Sequence, residues 1–236
     1  MSSVKFLLEN RQPRIVGSFG SLLDLQNSTA EAASQSCDLV EIRLDLLLAT
    51  GATIEASRWK HLAKIPLLFT ARRQQEGGAL DLDTPTRLDL LRIALDDAAW
   101  IDLEVASLPE ATDFLQELAT RQIPWIASFH DFTKLPETAE LEAAVRIAKE
   151  AGATLFKAAA HLASPADLAR LAEFQVADHG LPVATMGMGP LAPVSRLLCA
   201  QSGSLLNYGY LGQTATAPGQ WDSAFLKQAI SRLVPF

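Results

Sequence analysis

The chain predicts an α/β fold, a (β/α)8 TIM barrel, and three observations carry that expectation. Short apolar, β-rich runs recur eight times, roughly every 27 residues from Ile15 to Leu205, which leaves room for a strand, a helix and two loops per repeat. The intervening segments carry helix start and stop signals. The turn after the first run, Gly17-Ser18-Phe19-Gly20, matches the glycine-rich phosphate fingerprint poorly, which argues against a doubly wound open sheet. No linker interrupts the alternation, so one barrel domain is expected over 1–236.

In order, the expected strands are Arg14–Gly17, Leu39–Leu44, Leu67–Thr70, Trp100–Val105, Trp125–Ser128, Thr154–Lys157, Val183–Met186 and Ser204–Tyr208. Between them, a helix around Thr29–Ser36 follows strand one. Thr84-Pro85 reads as an N-cap followed by proline at the first helical position, with Leu88, Leu91, Leu95 and Ala98 on one face. Ser107 and Glu110 have capping-box spacing ahead of Phe114, Leu115 and Leu118. Glu140–Ala151 stops at Gly152, Ser164-Pro165 opens a helix that Gly180 closes, and Pro193–Ala200 and Asp222–Leu233 complete the set.

Of the 236 residues, 49% are hydrophobic, enough for a sizeable core. A net charge of −7 argues against general nucleic-acid binding, which calls for a basic stripe. The two cysteines, Cys37 and Cys199, sit among small or apolar residues on expected helices and read as core thiols of a reducing compartment. No apolar run reaches membrane-spanning length and the N-terminus lacks a long apolar segment, so a soluble cytoplasmic protein is expected. No Cys/His/Asp cluster has metal-ligand spacing and no nucleotide-binding glycine motif appears, so no metal and no cofactor is expected.

In such barrels chemistry gathers at the carboxyl ends of the strands. There the sequence places Ser18; Glu41, Arg43 and Asp45; Thr70, Arg72 and Glu76-Gly77-Gly78; Asp102 and Glu104; Ser128-Phe129-His130-Asp131; Lys157; Met186-Gly187-Met188-Gly189 with Arg196; and Thr216-Ala217-Pro218-Gly219-Gln220. Each alone has a bland reading: a snorkelling lysine, a salt-bridged layer, methionine as core filler. Polar groups on apolar strands are costly unless paired, and their gathering at one end of most strands favours an active site. An amine such as Lys157 forms a Schiff base with a ketone or aldehyde, and His130 can shuttle the protons. Glu76, Asp102 or Glu104 could orient the imidazole. Arg196 and Arg72 suit an anionic substrate, while Gln220, Thr216 and Ser18 supply neutral donors and acceptors.

Taken together and in order, these segments resemble type I 3-dehydroquinate dehydratases. The match runs through Glu41-Ile42-Arg43-Leu44-Asp45, Phe69-Thr70-Ala71-Arg72 with Glu76-Gly77-Gly78, Ser128-Phe129-His130-Asp131-Phe132, Phe156-Lys157-Ala158, Met186-Gly187-Met188-Gly189 with Ser195-Arg196, Gly203-Ser204 and Ala217-Pro218-Gly219-Gln220. The resemblance implies a cofactor-free (β/α)8 barrel, commonly a homodimer, acting on the small molecule 3-dehydroquinate in the shikimate pathway of aromatic amino acid biosynthesis. Lys157 would form the imine with the C3 ketone. His130 would take a proton from C2 and return it as water leaves C1 in a syn elimination, giving 3-dehydroshikimate. Glu76 would support His130. Arg196 and Gln220 would hold the carboxylate and neighbouring hydroxyl, and Glu41 and Arg72 the ring hydroxyls. Ser18, Arg43, Met186, Met188 and Thr216 complete the expected substrate-binding set. Two positions depart from the family pattern: Thr216 stands where serine is usual, and Ala158-Ala159-Ala160-His161 is unusually alanine-rich. A Schiff-base aldolase acting on a phosphorylated sugar is the rival enzyme reading. A non-catalytic metabolite-binding barrel is the rival from another class.

Overall fold

The computed structural model describes residues 12–234. Its eight strands are β1 (Arg14–Phe19), β2 (Leu39–Arg43), β3 (Leu67–Thr70), β4 (Trp100–Glu104), β5 (Trp125–Asp131), β6 (Leu155–His161), β7 (Val183–Met188) and β8 (Leu206–Leu211). All neighbours pair in parallel, in the order β7-β6-β5-β4-β3-β2-β1-β8. At the seam a single backbone bond, Leu205 N–H to the Val183 carbonyl at 3.4 Å, stands where a ladder would close the ring. The molecule is a nearly closed (β/α)8 barrel, as the eightfold repeat predicts.

The helices are α1 (Leu22–Asn27), α2 (Ala30–Ser36), α3 (Leu44–Ala49), α4 (Thr84–Ala94), α5 (Thr112–Arg121), α6 (Thr138–Glu150), α7 (Pro165–Val176), α8 (Ala192–Gln201) and α9 (Ser223–Ile230). Short 3-10 turns, Ala56–Arg58 and Lys60–Leu62, fill the crossover between α3 and β3. Outward-facing Ile42, Phe69, Ile101, Leu103 and Phe156 pack against helix residues such as Leu91, Phe114, Leu118, Leu171 and Phe174. Each such large side chain contributes about 1.5–3 kcal/mol on burial.

Inside the barrel the period-2 alternation of strands places a second set of residues. A lower ring of Val16, Leu39, Leu68, Trp100, Ile126, Leu155, Ala184 and Leu206 forms a separate apolar cluster. Two residues further along each strand stand Ser18, Glu41, Thr70, Asp102, Ser128, Lys157, Met186 and Tyr208, all buried. The change from apolar to polar within one step of the pleat raises the site to the carboxyl end.

Several local expectations need correction. The cap of α4 is Asp83, not Thr84; its carboxylate accepts the Thr86 N–H at 3.0 Å, and an ionised oxygen competes well for that donor. Ser107 caps nothing: its hydroxyl accepts from Arg87 Nη2 at 2.7 Å and donates to Glu104 Oε2 at 3.2 Å, so the buried ion cluster claims it and α5 starts only at Thr112. Strand six does not stop at Lys157 but runs on to His161, and β7 reaches Met188. Strand eight begins at Leu206, because Ser204 turns back to accept the Thr185 N–H. Asp45 lies in the first turn of α3 rather than on the strand. The α7 helix ends at Val176, four residues before Gly180, which takes a left-handed φ of 62° in the turn to β7. The Ser164 cap is as expected, with Asp167 completing a capping box. Cys37 and Cys199 are buried free thiols, pushed up by burial to about 12 and about 11. No helix among the described residues is long and apolar enough to cross a membrane.

Candidate active site

At the carboxyl end of the barrel lies a pocket with a cavity volume of about 60 Å³. Lys157, His130, Glu76, Ser18, Glu41, Arg43, Arg72, Met186, Met188, Arg196, Thr216 and Gln220 all line it. Tyr208, Phe132, Ala159, Gly77 and Ala217 complete the wall.

Lys157 is the third residue of β6, paired in register with Ser128 of β5. Its Nζ lies 2.8 Å from Asp102 Oδ2 and 4.2 Å from the centre of the Tyr208 ring. A carboxylate on one side and a π face on the other define where the amine stands. Asp102 also accepts from Ser128 Oγ at 2.6 Å and pairs with Arg72 Nη2 at 2.8 Å. Burial alone would raise the Asp102 carboxyl, but the Arg72 and Lys157 charges outweigh it and hold it at about 2.

His130, near the end of β5, is anchored by one carboxylate oxygen. Glu76 Oε2 accepts its backbone N–H and lies 2.9 Å from its Nδ1. Of the three carboxylates that could orient the imidazole, Glu76 is the one in contact. Asp102 and Glu104 are engaged by Arg72, with Glu104 also held by Arg87 at 2.6 Å. Burial, reinforced by the Arg72, Lys157 and Arg43 charges, lowers His130 well below its ordinary value and keeps it neutral. With Nδ1–H donated to Glu76, the Nε2 lone pair is free to act as a base. Burial raises Glu76 to about 7, against the pull of Arg72. The turn holding Glu76 depends on two glycines. Gly77 has a left-handed φ of 87° beneath the Phe132 ring, and a Cβ on Gly78 would fall 2.1 Å from the Arg72 carbonyl oxygen.

The expected anion-binding arginines differ sharply. Arg72 lines the pocket, but Nη1 donates to Glu104 Oε1 at 2.8 Å and to Ser128 Oγ at 2.7 Å, while Nη2 pairs with Asp102. Although burial opposes it, these carboxylates hold Arg72 firmly charged. Arg43 forks onto Asp45 through Nε and Nη2 at 2.8 and 2.7 Å and reaches the Gly77 carbonyl. Arg196, on α8, faces no carboxylate within ion-pair distance among the described residues. Its Nη1 donates to the Tyr208 carbonyl at 2.6 Å, its Nε is buried without a partner, and burial pulls it down to about 10. A buried cation without a carboxylate partner is costly, and its guanidinium fits an incoming anion.

Around these groups, Ser18 Oγ donates to Glu41 Oε2 and Thr70 Oγ1 to Glu41 Oε1, which places an acceptor-rich carboxylate on the β1–β3 wall. Met186 and Met188 supply apolar surface from β7. In the last loop, Thr216 donates both its N–H and its hydroxyl to Gln220 Oε1, each at 2.8 Å. The amide nitrogen of Gln220 is left as its donor, so the hydroxyl expected to meet substrate is spent on orienting Gln220. Gly219 packs so closely on the Gly189 carbonyl that a Cβ would lie 2.5 Å from it.

The sequence model of type I 3-dehydroquinase matches residues 18–233. The chain belongs to the type I 3-dehydroquinase family. Membership makes it an enzyme of the hydro-lyase class, and it sets aside the phosphorylated-sugar aldolase reading. The 3-dehydroquinate dehydratase of Haloquadratum walsbyi is 33% identical over 217 residues, covering 87% of this chain and 88% of that protein. That of Methanothrix thermoacetophila is 30% identical, covering 94% and 93%. The crystal structure of 3-dehydroquinate dehydratase from Geobacillus kaustophilus superposes with a TM-score of 0.80 at 24% identity, covering 93% of this chain and 90% of that one, which supports the barrel fold. Within this family frame, two pocket features escaped sequence reasoning: the contact of Asp102 with the lysine, and Tyr208 beneath it. Tyr208 was detectable, because it follows Leu206 by two residues on the same strand and must share its face.

Proposed function

We propose that the protein dehydrates 3-dehydroquinate to 3-dehydroshikimate through a Schiff base on Lys157. The observation that carries the reading is the lining of one pocket by a buried lysine and a neutral histidine whose Nδ1 is held by a carboxylate. The amine adds to the C3 ketone, and loss of water gives an iminium. That cation withdraws electrons from C2, so His130 Nε2 can remove its proton. The resulting imidazolium then protonates the departing C1 hydroxyl, returning His130 to its starting state. Water hydrolyses the product iminium and frees Lys157. Arg196 and Gln220, which line the same pocket, receive the substrate carboxylate and neighbouring hydroxyl, and Glu41 accepts from ring hydroxyls. The same family reading carries the homodimer, which sedimentation would report as twice the 25.5 kDa chain.

Conversion of 3-dehydroquinate creates a conjugated enone, so turnover is read as new ultraviolet absorbance. The wild-type protein is expected to generate it without added cofactor. His130→Ala is expected to retain an imine trappable by borohydride while losing turnover by about 10²–10⁴-fold. Near-wild-type turnover in that variant would remove His130 from the mechanism.

A further inference from the structure

We propose that Asp102 is a catalytic residue of this site, the counter-ion that keeps the Lys157 imine protonated; this rests on the Schiff-base reading above. Asp102 Oδ2 is 2.8 Å from the nitrogen that becomes the imine nitrogen, and both groups are buried. The carboxylate is held from several sides: Arg72 and Ser128 bind Oδ1, leaving Oδ2 to the lysine. No described group besides Lys157 hydrogen-bonds to Oδ2, so that oxygen serves the lysine alone.

The charge balance fits the role. An ammonium and a ketone give an iminium and water: the nitrogen forms two bonds to carbon, and two of its three protons leave with the carbonyl oxygen. The nitrogen bears one positive charge and at least one N–H both as ammonium and as iminium; in between it is a neutral amine and carbinolamine, its proton passing through His130 and returning as water leaves. An Asp102 carboxylate placed for the ammonium is therefore placed for the iminium, with no reorganisation. The protonated form is also the chemically useful one, since a neutral imine is a poor electron sink. Asp102 does not take the lysine's proton. Arg72 and Lys157 hold its carboxyl at about 2, which makes it a standing anion and a weak base. The shuttle remains His130, facing the same pocket.

The other groups bearing on the pair come from different strands. Arg72 beyond β3 and Tyr208 from β8 bear on the carboxylate, His130 from β5 on the amine, and Glu41 from β2 and Glu104 from β4 on Arg72. Since Arg72 has Glu104 as a second partner at 2.8 Å, it stays paired when Asp102 is neutralised. In Asp102→Asn the imine nitrogen loses the carboxylate at hydrogen-bond distance from it, while the Arg72 cation that shared that carboxylate stays. Its protonation then requires a lower pH.

The experiment measures borohydride trapping of 3-dehydroquinate on Lys157, by mass, together with kcat against pH, for wild type, Asp102→Asn and Asp102→Glu. The expected result is a fall in trapped adduct of tenfold or more for Asp102→Asn at pH 8. The alkaline limb of kcat should move to lower pH, with partial recovery of both in Asp102→Glu. A merely structural role would lower kcat at all pH values alike and leave the limb in place, and that result overturns the proposal. If Asp102→Asn does not fold, Asp102→Glu carries the test, because it keeps the charge but moves it from the 2.8 Å contact. A displaced alkaline limb supports the proposal, and a lowered kcat with an unmoved limb opposes it. Absence of any adduct in the wild-type protein would instead refute the Schiff-base reading itself.

Discussion

The two walls of the pocket are built on opposite principles. On the wall formed by β3 to β6, each charge has a partner: Arg72 with Asp102 and Glu104, Arg87 with Glu104, Lys157 with Asp102, His130 with Glu76. On the wall formed by β7, β8 and α8, Arg196 faces no carboxylate among the described residues, and the Tyr208 hydroxyl and Arg196 Nε are buried without partners. The methionines Met186 and Met188 make the rest of that wall apolar. The paired wall fixes positions, because each group has several simultaneous constraints and little freedom left. The unpaired wall holds binding capacity in reserve, because a ligand carboxylate is the partner its guanidinium lacks. In the proposed reaction the first wall holds the reacting groups and the second holds the substrate.

Removing one arginine from each wall should separate the two most clearly. Arg72→Met takes one cationic partner from each of Asp102 and Glu104, leaving them only Lys157 and Arg87, and is expected to cost about 3–5 kcal/mol of stability, read by urea denaturation. Arg196→Met removes a buried cation that has no anion. Its stability is expected to lie within about 1 kcal/mol of wild type, or to rise. Equal losses in both variants would show that the walls do not differ as described. The same Arg196→Met protein should raise the KM for 3-dehydroquinate about 30-fold or more, the worth of roughly 2 kcal/mol of charge-assisted hydrogen bonding. Its imine should still form at saturating substrate.

The paired wall also sets the pH response. His130 is held neutral, so the acid limb of kcat/KM is assigned to Glu76, raised by burial to about 7. The sign follows from the hydrogen bond. As pH falls through about 7, Glu76 gains a proton and no longer favours Nδ1–H, and the base at Nε2 is lost. Activity is expected to fall on acidification, and Glu76→Gln should abolish that limb while lowering the plateau about 10–100-fold. An unchanged limb in Glu76→Gln would assign it elsewhere. The smallest expected effect sharpens the unpaired wall. Thr216→Val removes one of two bonds orienting Gln220 and should raise KM about 5-fold, near 1 kcal/mol, whereas Thr216→Ser should stay within about twofold.

The barrel was legible because its signals are periodic. Eight apolar runs at even spacing and alternation within each run suffice to set strand count and inward faces. Of the twelve pocket residues, Ser18, Glu41, Lys157 and Met186 were legible for the same reason, as inward-facing strand positions, whereas Glu76, Arg196, Thr216 and Gln220 lie beyond the strands and were singled out by the family resemblance. What stayed hidden was which charges pair with which. Asp102 and Glu76 are both plausible orienters of His130 in sequence. Only the closure of the ring brings Asp102 to Lys157, 55 positions away, and Glu76 to His130, 54 away. The Ser107 cap error has the same origin. Ser107 carries a sound local signal, but a buried arginine 20 residues earlier claims its hydroxyl, and tertiary pairing outweighs a cap of about 1 kcal/mol. Short segments such as α1 and α3 lack the length for a periodic pattern.

Every step of the proposed reaction depends on Lys157 as the nucleophile. The direct measurement is to incubate the protein with 3-dehydroquinate, reduce with borohydride and locate the adduct by peptide mass. The expected result is one stable adduct on Lys157, absent from Lys157→Met. An adduct on a different lysine, or none from a preparation that turns the substrate over, would contradict the central claim.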